Sequence, residues 1–340
     1  MMTARPIEII GGGLAGLSLG LALRRAGADV TIFEAGDYPR HRVCGEFIAG
    51  LPPRTRARLQ LDPFLADAAL DHHVAWFNRA SLSRIQKLPS PAFGLSRHTL
   101  DHRLADAFAS AGGILQTHTR RTDTSDAPGR IFATGRRRAT PRWLGLKLHA
   151  LDLPLARDLE VHLGAHAYVG LARIENRRVN LCGLFQRRPF RAHGPALLLA
   201  YLEASHLTAL ANRLACARLD TASFCAVAAV DFDSHVPLTN EVRLGDASAM
   251  IAPFTGHGMA MAFQSAELAL DPVLAYVRGE SPWPDTRRAI HTALRRRFRL
   301  RLASARALHP FLLRPPHQRC LALLNRARLL PLRPLYAALH

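Results

Sequence analysis

The sequence predicts an α/β fold in which a parallel sheet is combined with an inserted antiparallel sheet and followed by C-terminal helices. Three observations support this prediction. A short apolar strand over residues 7–10 runs into a glycine-rich turn and a helical apolar pattern over 14–26. Apolar and polar residues alternate between 72 and 96 and again between 145 and 186, as in antiparallel strands. Beyond residue 286, arginine and leucine mix at helical spacing.

The turn after the first strand has the glycine spacing of a phosphate-binding loop. In such a loop Gly11 allows the tight turn, Gly13 lets the backbone approach a pyrophosphate, and Gly16 lets the helix lie close to the strand. The helix that opens with Leu14 and Ala15 offers unpaired N–H groups to the phosphates. We therefore expect these five residues to bind a dinucleotide.

A second apolar strand over residues 30–33 is followed at once by Glu34 and Ala35. Glu34 lies about 20 residues beyond the glycine turn, where a carboxylate can accept a hydrogen bond from an adenosine ribose hydroxyl. Strand, turn, helix, strand and acid in this order predict a Rossmann-like dinucleotide-binding unit, with Glu34 and Ala35 at its adenosine end.

The segment 242–262 resembles the second flavin motif of the superfamily that includes para-hydroxybenzoate hydroxylase, flavin-dependent halogenases and geranylgeranyl reductases. Its pattern predicts a strand ending at Leu244, a turn, and a helix starting near Gly258. The resemblance implies FAD, with Asp246 at a ribityl hydroxyl and the helix N-terminus at the anionic edge of the reduced isoalloxazine. The residues it places at the flavin are Gly245, Asp246, Pro253, Gly256, His257, Gly258 and Met259.

Two shorter pieces match the same superfamily. Arg97 corresponds to an arginine that opens a helix beside the cofactor, although a solvated arginine at a helix start is the alternative. Ala133, Thr134 and Gly135 resemble the element that ends a strand near the FAD adenosine. The resemblance spans residues 5 to about 272.

Because the two glycine motifs are far apart in sequence, the Rossmann-like FAD-binding domain, of the glutathione reductase type, must be discontinuous. The substrate domain is expected to be the inserted antiparallel sheet lying over the flavin. The predicted segments are 1–71, 97–144 and 236–285 for the FAD-binding domain, 72–96 and 145–235 for the substrate domain, and 286–340 for a basic helical segment.

Candidate chemistry lies in the segment Arg42-Val-Cys-Gly-Glu46, which is similar to the Cys-Gly motif of geranylgeranyl reductases. The resemblance places Cys44 and Gly45 near the isoalloxazine. Cys44 is a candidate proton donor, packing residue or pocket-shaping residue, and it can act as an acid only if its pKa moves toward the working pH. Glu46 is a second acid or base candidate, or it only orders the loop. Arg42 is expected at the FAD phosphates or at NADPH.

The resulting functional prediction is an FAD-dependent oxidoreductase with NAD(P)H as a transient electron donor and a small lipophilic organic substrate. A monooxygenase is narrowly preferred. A reductase of isoprenoid or polyene double bonds remains the alternative, since the Asp-Gly pair of aromatic hydroxylases is missing at 143–149. A non-catalytic, membrane-associated flavin-binding protein is a third possibility.

Composition limits the partners and the compartment. The formal charge is +19, and only Lys87 and Lys147 are lysines, so arginine supplies the excess. No nucleic-acid-binding module accompanies this charge, so nucleic acid is not expected. Five cysteines without a C-x-x-C pair indicate neither a metal site nor a disulfide framework. We expect a cytoplasmic protein.

The basic segment 286–340 admits two interpretations. An arginine–leucine helix can lie in a membrane interface, at the inner face of the membrane, or it can pack on the protein body with its basic face solvated. The packed arrangement is slightly favoured. Breaks between helices are predicted at Pro310 and at Pro315-Pro316.

Overall fold

The structure is a computed structural model that has two sheets and eight α-helices among its described residues. The described residues are 5–122, 125, 127–136, 142–228, 240–313 and 315–327. The strands are β1 (Ile7–Ile10), β2 (Val30–Phe33), β3 (Phe47–Ile48), β4 (Ala69–Asn78), β5 (Ser81–Gly94), β6 (Ile114–Gln116), β7 (Arg130–Phe132), β8 (Trp143–Leu151), β9 (Leu159–Gly164), β10 (Ala167–Arg173), β11 (Arg178–Gln186), β12 (Arg218–Ala228) and β13 (Val242–Arg243). The helices are α1 (Leu14–Arg25), α2 (Pro53–Leu59), α3 (Arg97–Ser110), α4 (Gly194–Ala204), α5 (Thr208–Ala215), α6 (Gly258–Val277), α7 (Trp283–Leu313) and α8 (Pro315–Arg326).

The first sheet is parallel, with strand order β13-β7-β1-β2-β6. Its central strands are short and apolar, as expected for a sheet that helices cover. Helix α1 is buried along almost its whole length because it packs against this sheet, α3 and α6. At Gly20 an added Cβ would lie 2.7 Å from the Ile32 side chain and 3.1 Å from the Phe108 ring, so a larger residue there would require the Ile32 side chain to shift.

The second sheet has eight strands in the order β12-β8-β11-β10-β9-β4-β5-β3, and all its neighbours are antiparallel except the pair β4 and β9. One face packs its apolar side chains, such as Leu146 and Leu148, against α4 and α5. The other face, which we call the inner face, carries Lys147 flanked by its cross-strand neighbours Cys182 and Cys225.

These two sheets confirm the predicted fold class, a Rossmann-like α/β unit with an antiparallel-rich second sheet. The element boundaries differ in detail from the expected segments, because β3 lies within 1–71 yet pairs with β5 of the antiparallel sheet. Strand β4 also begins at Ala69, before the expected boundary at residue 72. The expected boundary at 235/236 lies outside the described residues. The division into three units stays a prediction.

The C-terminal helices occur as predicted, but the break expected at Pro310 is wrong. Helix α7 continues through Pro310 to Leu313 and α8 begins at Pro315. A proline near the end of a helix removes only one backbone hydrogen bond, and His309, Leu312 and Leu313 are buried against the protein body. This packing holds the last turn in helical form. Every helix in the described part of the chain is too short or too polar to cross a bilayer.

A buried carboxylate connects the antiparallel sheet to the helix that covers it. Glu160 on β9 is fully buried and accepts hydrogen bonds from Arg213 of α5 at 2.7 Å, from His162 at 2.9 Å and from the Ala156 N–H at 2.6 Å. Burial alone raises its pKa, but the hydrogen bonds from His162 and Arg213 outweigh burial and lower the pKa of Glu160 to about 2. The carboxylate is therefore ionised at neutral pH.

We expect Glu160→Gln to destabilise the protein by roughly 2 to 3 kcal/mol. Breaking a fully buried ion pair would cost more, but the Arg213 side chain is 29% exposed and solvent weakens its interaction with Glu160. Since the folded-state pKa is lowered, the stabilisation is complete above the ordinary pKa of 4.5 and is lost as the pH falls toward 2. Urea unfolding between pH 7 and pH 3 measures both effects. The exposed Glu203→Gln on α4 serves as control. Equal stability of the two variants would contradict this role for Glu160.

Candidate functional site

The first glycine turn is compressed between α1 and the end of β7. Gly11 has a φ of +111°, and an added Cβ would lie 2.3 Å from the carbonyl oxygen of Ala133. At Gly16 an added Cβ would lie 2.1 Å from the carbonyl oxygen of Gly11. The predicted element Ala133–Gly135 therefore lies directly beside the turn. Both glycines are required by the fold itself, whatever the turn binds.

Gly13 is different, because the fold does not require a glycine there. Its φ of −88° suits any residue, and the nearest atom to an added Cβ is a guanidinium nitrogen of Arg97 at 3.9 Å. Gly13 is the N-cap of α1, so the first N–H groups of the helix, from Leu14 onward, have no acceptor within the helix. The open space at Gly13 is thus a cradle in front of a helix N-terminus.

The two glycine motifs meet at this helix. An added Cβ at Gly245 would lie 3.2 Å from the Cβ of Ala15, and the Gly245 N–H donates to Ser265 Oγ of α6 at 2.9 Å. Helix α6 begins at Gly258 and is preceded by His257, as the sequence predicts. Both helix N-termini consequently border the same region.

The turn over Pro253–Gly256 precedes α6 and packs against Phe47 of β3 and the following Ala49. Gly256 has a φ of +69°, and its carbonyl accepts from the Ala49 N–H at 3.3 Å. An added Cβ there would lie 2.8 Å from the Phe47 ring.

Met259 is buried at the start of α6, and Asp246 lies half-buried after β13. Burial raises the pKa of Asp246, and Arg97 and Arg136 partly oppose this rise.

Glu34 lies at the end of β2, opposite the turn. It is buried and accepts from the Gly12 N–H at 2.8 Å and the Gly36 N–H at 3.0 Å. Arg40 donates to the same carboxylate at 2.5 Å, and Ala35 next to it is exposed. Burial would raise the pKa of Glu34, but its cationic and N–H partners lower it, so Glu34 is a carboxylate.

Arg97 is the first residue of α3, and the structure contradicts the alternative of a solvated arginine. Its side chain is 14% exposed and makes a two-point contact with the fully buried Asp101, at 2.6 and 2.8 Å. Arg42 Nε contacts the same Asp101 at 3.0 Å, and its guanidinium lies 3.7 Å from Glu34. Arg42 is thus held by protein carboxylates. Positive and negative side chains thus alternate in a row beside the glycine turn, from Arg97 through Asp101, Arg42 and Glu34 to Arg40.

The candidate catalytic residues Cys44 and Glu46 have opposite electrostatic environments. Burial raises the pKa of the Cys44 thiol, and Arg97 only partly opposes the rise, so the thiol stays protonated and is a weak acid near neutral pH. Gly45 between them is exposed, and an added Cβ there would meet no atom within 4 Å. Burial would also raise the pKa of Glu46, but its hydrogen bonds and nearby cations lower it.

Glu46 belongs to a buried group that we call the Glu46 cluster: Glu46, Lys147, His149 and His41. Glu46, Lys147 and His149 are each 0% exposed. His149 Nε2 lies 2.6 Å from one carboxylate oxygen of Glu46, and Lys147 Nζ lies 3.3 Å from the other. Lys147 Nζ also lies 3.1 Å from His41 Nδ1. Sequence reasoning missed this cluster, although a lone lysine in the apolar strand pattern of 143–149 was a usable signal.

An aromatic group lies over the Pro253–Gly256 turn, where the inner face meets the end of α7. The His309 ring stacks on Phe254 with centroids 6.2 Å apart, and it lies 6.3 Å from both Tyr168 and Trp143. Buried leucines of β9, β11 and α7 surround these rings. The region is therefore mostly apolar, with polar tips on Tyr168 and His309. Sequence reasoning also missed this group.

Comparison with known proteins agrees with this geometry. The family model described as "NAD(P)-binding Rossmann-like domain" matches residues 9–50, the first glycine turn and its flanking elements. A menaquinone reductase of Mycolicibacterium smegmatis is 30% identical over 141 residues, which cover 39% of this chain and 34% of that protein. The alignment thus spans about a third of the relative's length.

Two solved structures have the same architecture over nearly the whole chain. The p-nitrophenol 4-monooxygenase of Pseudomonas putida superposes with a TM-score of 0.76 at 13% identity and covers 100% of this chain and 97% of that one. A geranylgeranyl bacteriochlorophyll reductase-like protein of Thermoplasma acidophilum gives 0.70 at 15% identity and covers 94% and 91%. The chain therefore shares its fold with these two solved proteins.

Proposed function

We propose that this protein is an FAD-dependent oxidoreductase that acts on a small lipophilic substrate. The observation that carries the proposal is the open space at Gly13, Gly45 and Gly258. None of the three has a positive φ, and an added Cβ would meet nothing closer than 3.9 Å. The fold alone does not demand glycine at these positions, whereas a cofactor lying against the backbone would.

The residues around this space fit the parts of FAD. The N-terminus of α1 and Gly13 would hold the pyrophosphate, and Glu34 would accept from the adenosine ribose. Asp246 would meet the ribityl chain, and the N-terminus of α6 would face the isoalloxazine edge. When bound, FAD supplies two-electron transfer, with NAD(P)H as the proposed external donor.

The apolar region beside Phe254 supports a lipophilic substrate. Aromatic rings and leucines pack together there, so an apolar ligand that reached them would lose water without leaving many polar groups unpaired. The hydroxyl of Tyr168 could orient such a ligand. The region adjoins the turn that leads into α6.

Reduction of an unsaturated substrate is the reaction that we favour. The curated relative over the aligned region is a menaquinone reductase. Reduction of a carbon–carbon double bond needs a proton as well as a hydride, and Glu46, His149 and Lys147 form a buried proton-holding group close to Gly45. Monooxygenation is the second candidate, because the p-nitrophenol monooxygenase superposes over the entire chain.

We expect Gly13→Ala to weaken FAD binding at least about tenfold, because the new methyl would occupy the approach to the pyrophosphate. The unfolding free energy of the flavin-free protein should change by less than about 1 kcal/mol, since alanine at the N-cap is only mildly unfavourable. Flavin fluorescence titration and urea unfolding measure the two quantities.

The matched control is Gly27→Asn at the opposite end of α1. Gly27 has a φ of +83°, which asparagine tolerates, and an added Cβ would meet no atom within 4 Å. This variant should bind FAD like the wild type. A wild-type protein that fails to bind added FAD, or a Gly13→Ala variant with unchanged affinity, would overturn the proposal.

Isotope labelling distinguishes the two reactions. With NADPH and menaquinone as probe substrate, we expect a product that gains two hydrogen atoms, with deuterium entering from D₂O and no oxygen-18 from ¹⁸O₂. Mass spectrometry of the product measures both labels. Oxygen-18 in the product of menaquinone or p-nitrophenol would instead support the monooxygenase. NADPH oxidation no faster than background with either probe would contradict both reactions.

A further inference from the structure

The Glu46 cluster connects the proposed flavin region with the protein surface. Glu46 lies in the loop between Gly45 and β3, and β3 packs against the Gly256 turn through the Ala49–Gly256 hydrogen bond and the Phe47 ring. At the other end of the cluster, His41 is half-buried and stacks on the half-exposed His98 with centroids 4.4 Å apart. A continuous row of polar atoms thus runs from an interior carboxylate to a ring that water can reach.

We infer that Glu46, Lys147 and His41 form a proton-transfer path between solvent and the interior beside the proposed flavin site. The inference rests on the proposed function, since the path would supply the proton that reduction of the substrate consumes. The contacts that form it are Lys147 Nζ to Glu46 Oε1 at 3.3 Å and Lys147 Nζ to His41 Nδ1 at 3.1 Å.

Burial explains why this cluster is more than a structural ion pair. A lysine at 0% exposure on a strand whose other side chains are apolar except for His149 is costly to desolvate, and apolar residues could fill the same space. Its cross-strand neighbours Cys182 and Cys225 carry no charge that would offset the ammonium. Glu46 is the carboxylate that offsets the charge of Lys147. Lys147 also contacts His41, which is half-buried and lies nearer the protein surface.

The protonation states at neutral pH are compatible with transfer. Burial, aided by the Lys147 charge, lowers the pKa of His41 to about 4, so its ring is neutral and its Nδ1 accepts from Lys147. The Glu46 carboxylate is ionised, as described above. The groups that face this cluster are Arg97 and His98 on α3, His149 on β8, Glu175 before β11, Arg178 and Cys182 on β11, and Cys225 on β12.

One inward transfer moves a single proton and leaves the charges balanced. The Lys147 ammonium gives a proton to the Glu46 carboxylate, which becomes a carboxylic acid and can release the proton to the substrate. Exchange with water then converts the neutral His41 ring to the tautomer that carries its proton on Nδ1. The Lys147 amine takes this Nδ1 proton while Nε2 takes a proton from solvent, so that one proton enters and the observed arrangement returns, with Nδ1 accepting from the ammonium.

Two measurements test this path. In the flavin-free protein, nitrogen-15 NMR of the histidine rings should show the pKa of His41 rising toward its ordinary value in Lys147→Met, because a facing positive charge has been removed. In the FAD-loaded protein with NADPH and menaquinone, His41→Gln should slow turnover at least about tenfold, and added imidazole should restore it. His102→Gln on the exposed side of α3 is the control, with both readouts unchanged.

The NMR titration and the turnover assay together distinguish a failure of this inference from a failure of the proposed function. If no FAD binds, the flavin absorbance reports it while the NMR titration remains measurable. An unchanged His41 titration in Lys147→Met would overturn the inferred contact. Wild-type turnover of His41→Gln, or slow turnover that imidazole does not restore, would overturn the path even with FAD bound.

A separate observation concerns the outer surface of α7. Leu300 and Phe311 are 67% and 41% exposed, and Ala303 and Ala307 between them are exposed as well. These four residues, which we call the α7 stripe, follow one another at spacings of three and four and share one face of the helix. The exposed arginines Arg296, Arg297 and Arg299 lie at its N-terminal end.

We propose that the α7 stripe rests on a lipid bilayer that contains anionic headgroups. Apolar side chains flanked by arginines suit an interface in which acyl chains and phosphates lie side by side. A second copy of this chain is a poorer partner, because its arginines would face these arginines and each chain carries a formal charge of +19. The proposal thus assigns a specific surface to the membrane interpretation of the basic segment.

Vesicle sedimentation tests this surface. The wild type should bind vesicles of phosphatidylglycerol and phosphatidylcholine more tightly than vesicles of phosphatidylcholine alone, and added salt should weaken binding. The double variant Leu300→Ser/Phe311→Ser should lose at least about tenfold in partitioning. Ile114→Ser removes an equally exposed apolar side chain, 58% exposed on β6, and should bind like the wild type.

Three outcomes would overturn the membrane proposal. These are no binding to either vesicle, equal partitioning of the double variant and the wild type, and a wild-type dimer in analytical ultracentrifugation that the double variant abolishes without any lipid binding.

Discussion

The close packing of Gly245 on helix α1 is the contact on which the rest of the site depends. With no side chain at Gly245, the loop after β13 comes within van der Waals distance of Ala15, and α6 follows the same loop. The N-termini of α1 and α6 therefore border one region, although their sequences are far apart. A larger residue at this position would push the loop away from α1 and would have to adopt the φ of +57° that favours glycine.

The second constraint is electrostatic. Glu34, Asp101 and Glu46 are buried carboxylates, and each is stabilised by arginines, a lysine, a histidine or backbone N–H groups. Buried charges of this kind seldom add net stability compared with apolar packing of the same volume. They do fix the positions of loops that carry little regular structure, such as the segment between β2 and β3. That segment contains Arg40, Arg42, Cys44 and Glu46, so rigid placement there bears directly on the proposed chemistry.

Sequence reasoning succeeded where a local pattern has one physical interpretation. The turn at Gly11–Gly16 and the helix start at Gly258 were predicted to within a residue, because backbone geometry at these points leaves few alternatives. It failed at contacts between distant strands. Nothing in the local sequence of Lys147 indicates that Glu46 and His41 meet it, since the strand register that brings them together is set by the whole sheet.

The wrong prediction of a helix break at Pro310 has the same origin. Local rules predict a helix break at a proline, but tertiary burial of His309, Leu312 and Leu313 keeps α7 continuous. One rigid helix consequently joins two apolar surfaces: its last turns line the aromatic region beside Phe254, and its exposed side carries the α7 stripe. If both proposals hold, a lipophilic substrate dissolved in a bilayer would meet the protein on the helix that also borders the proposed substrate region. The continuity of α7 through Pro310 thus relates the proposed chemistry to the proposed membrane contact without requiring a separate channel or domain.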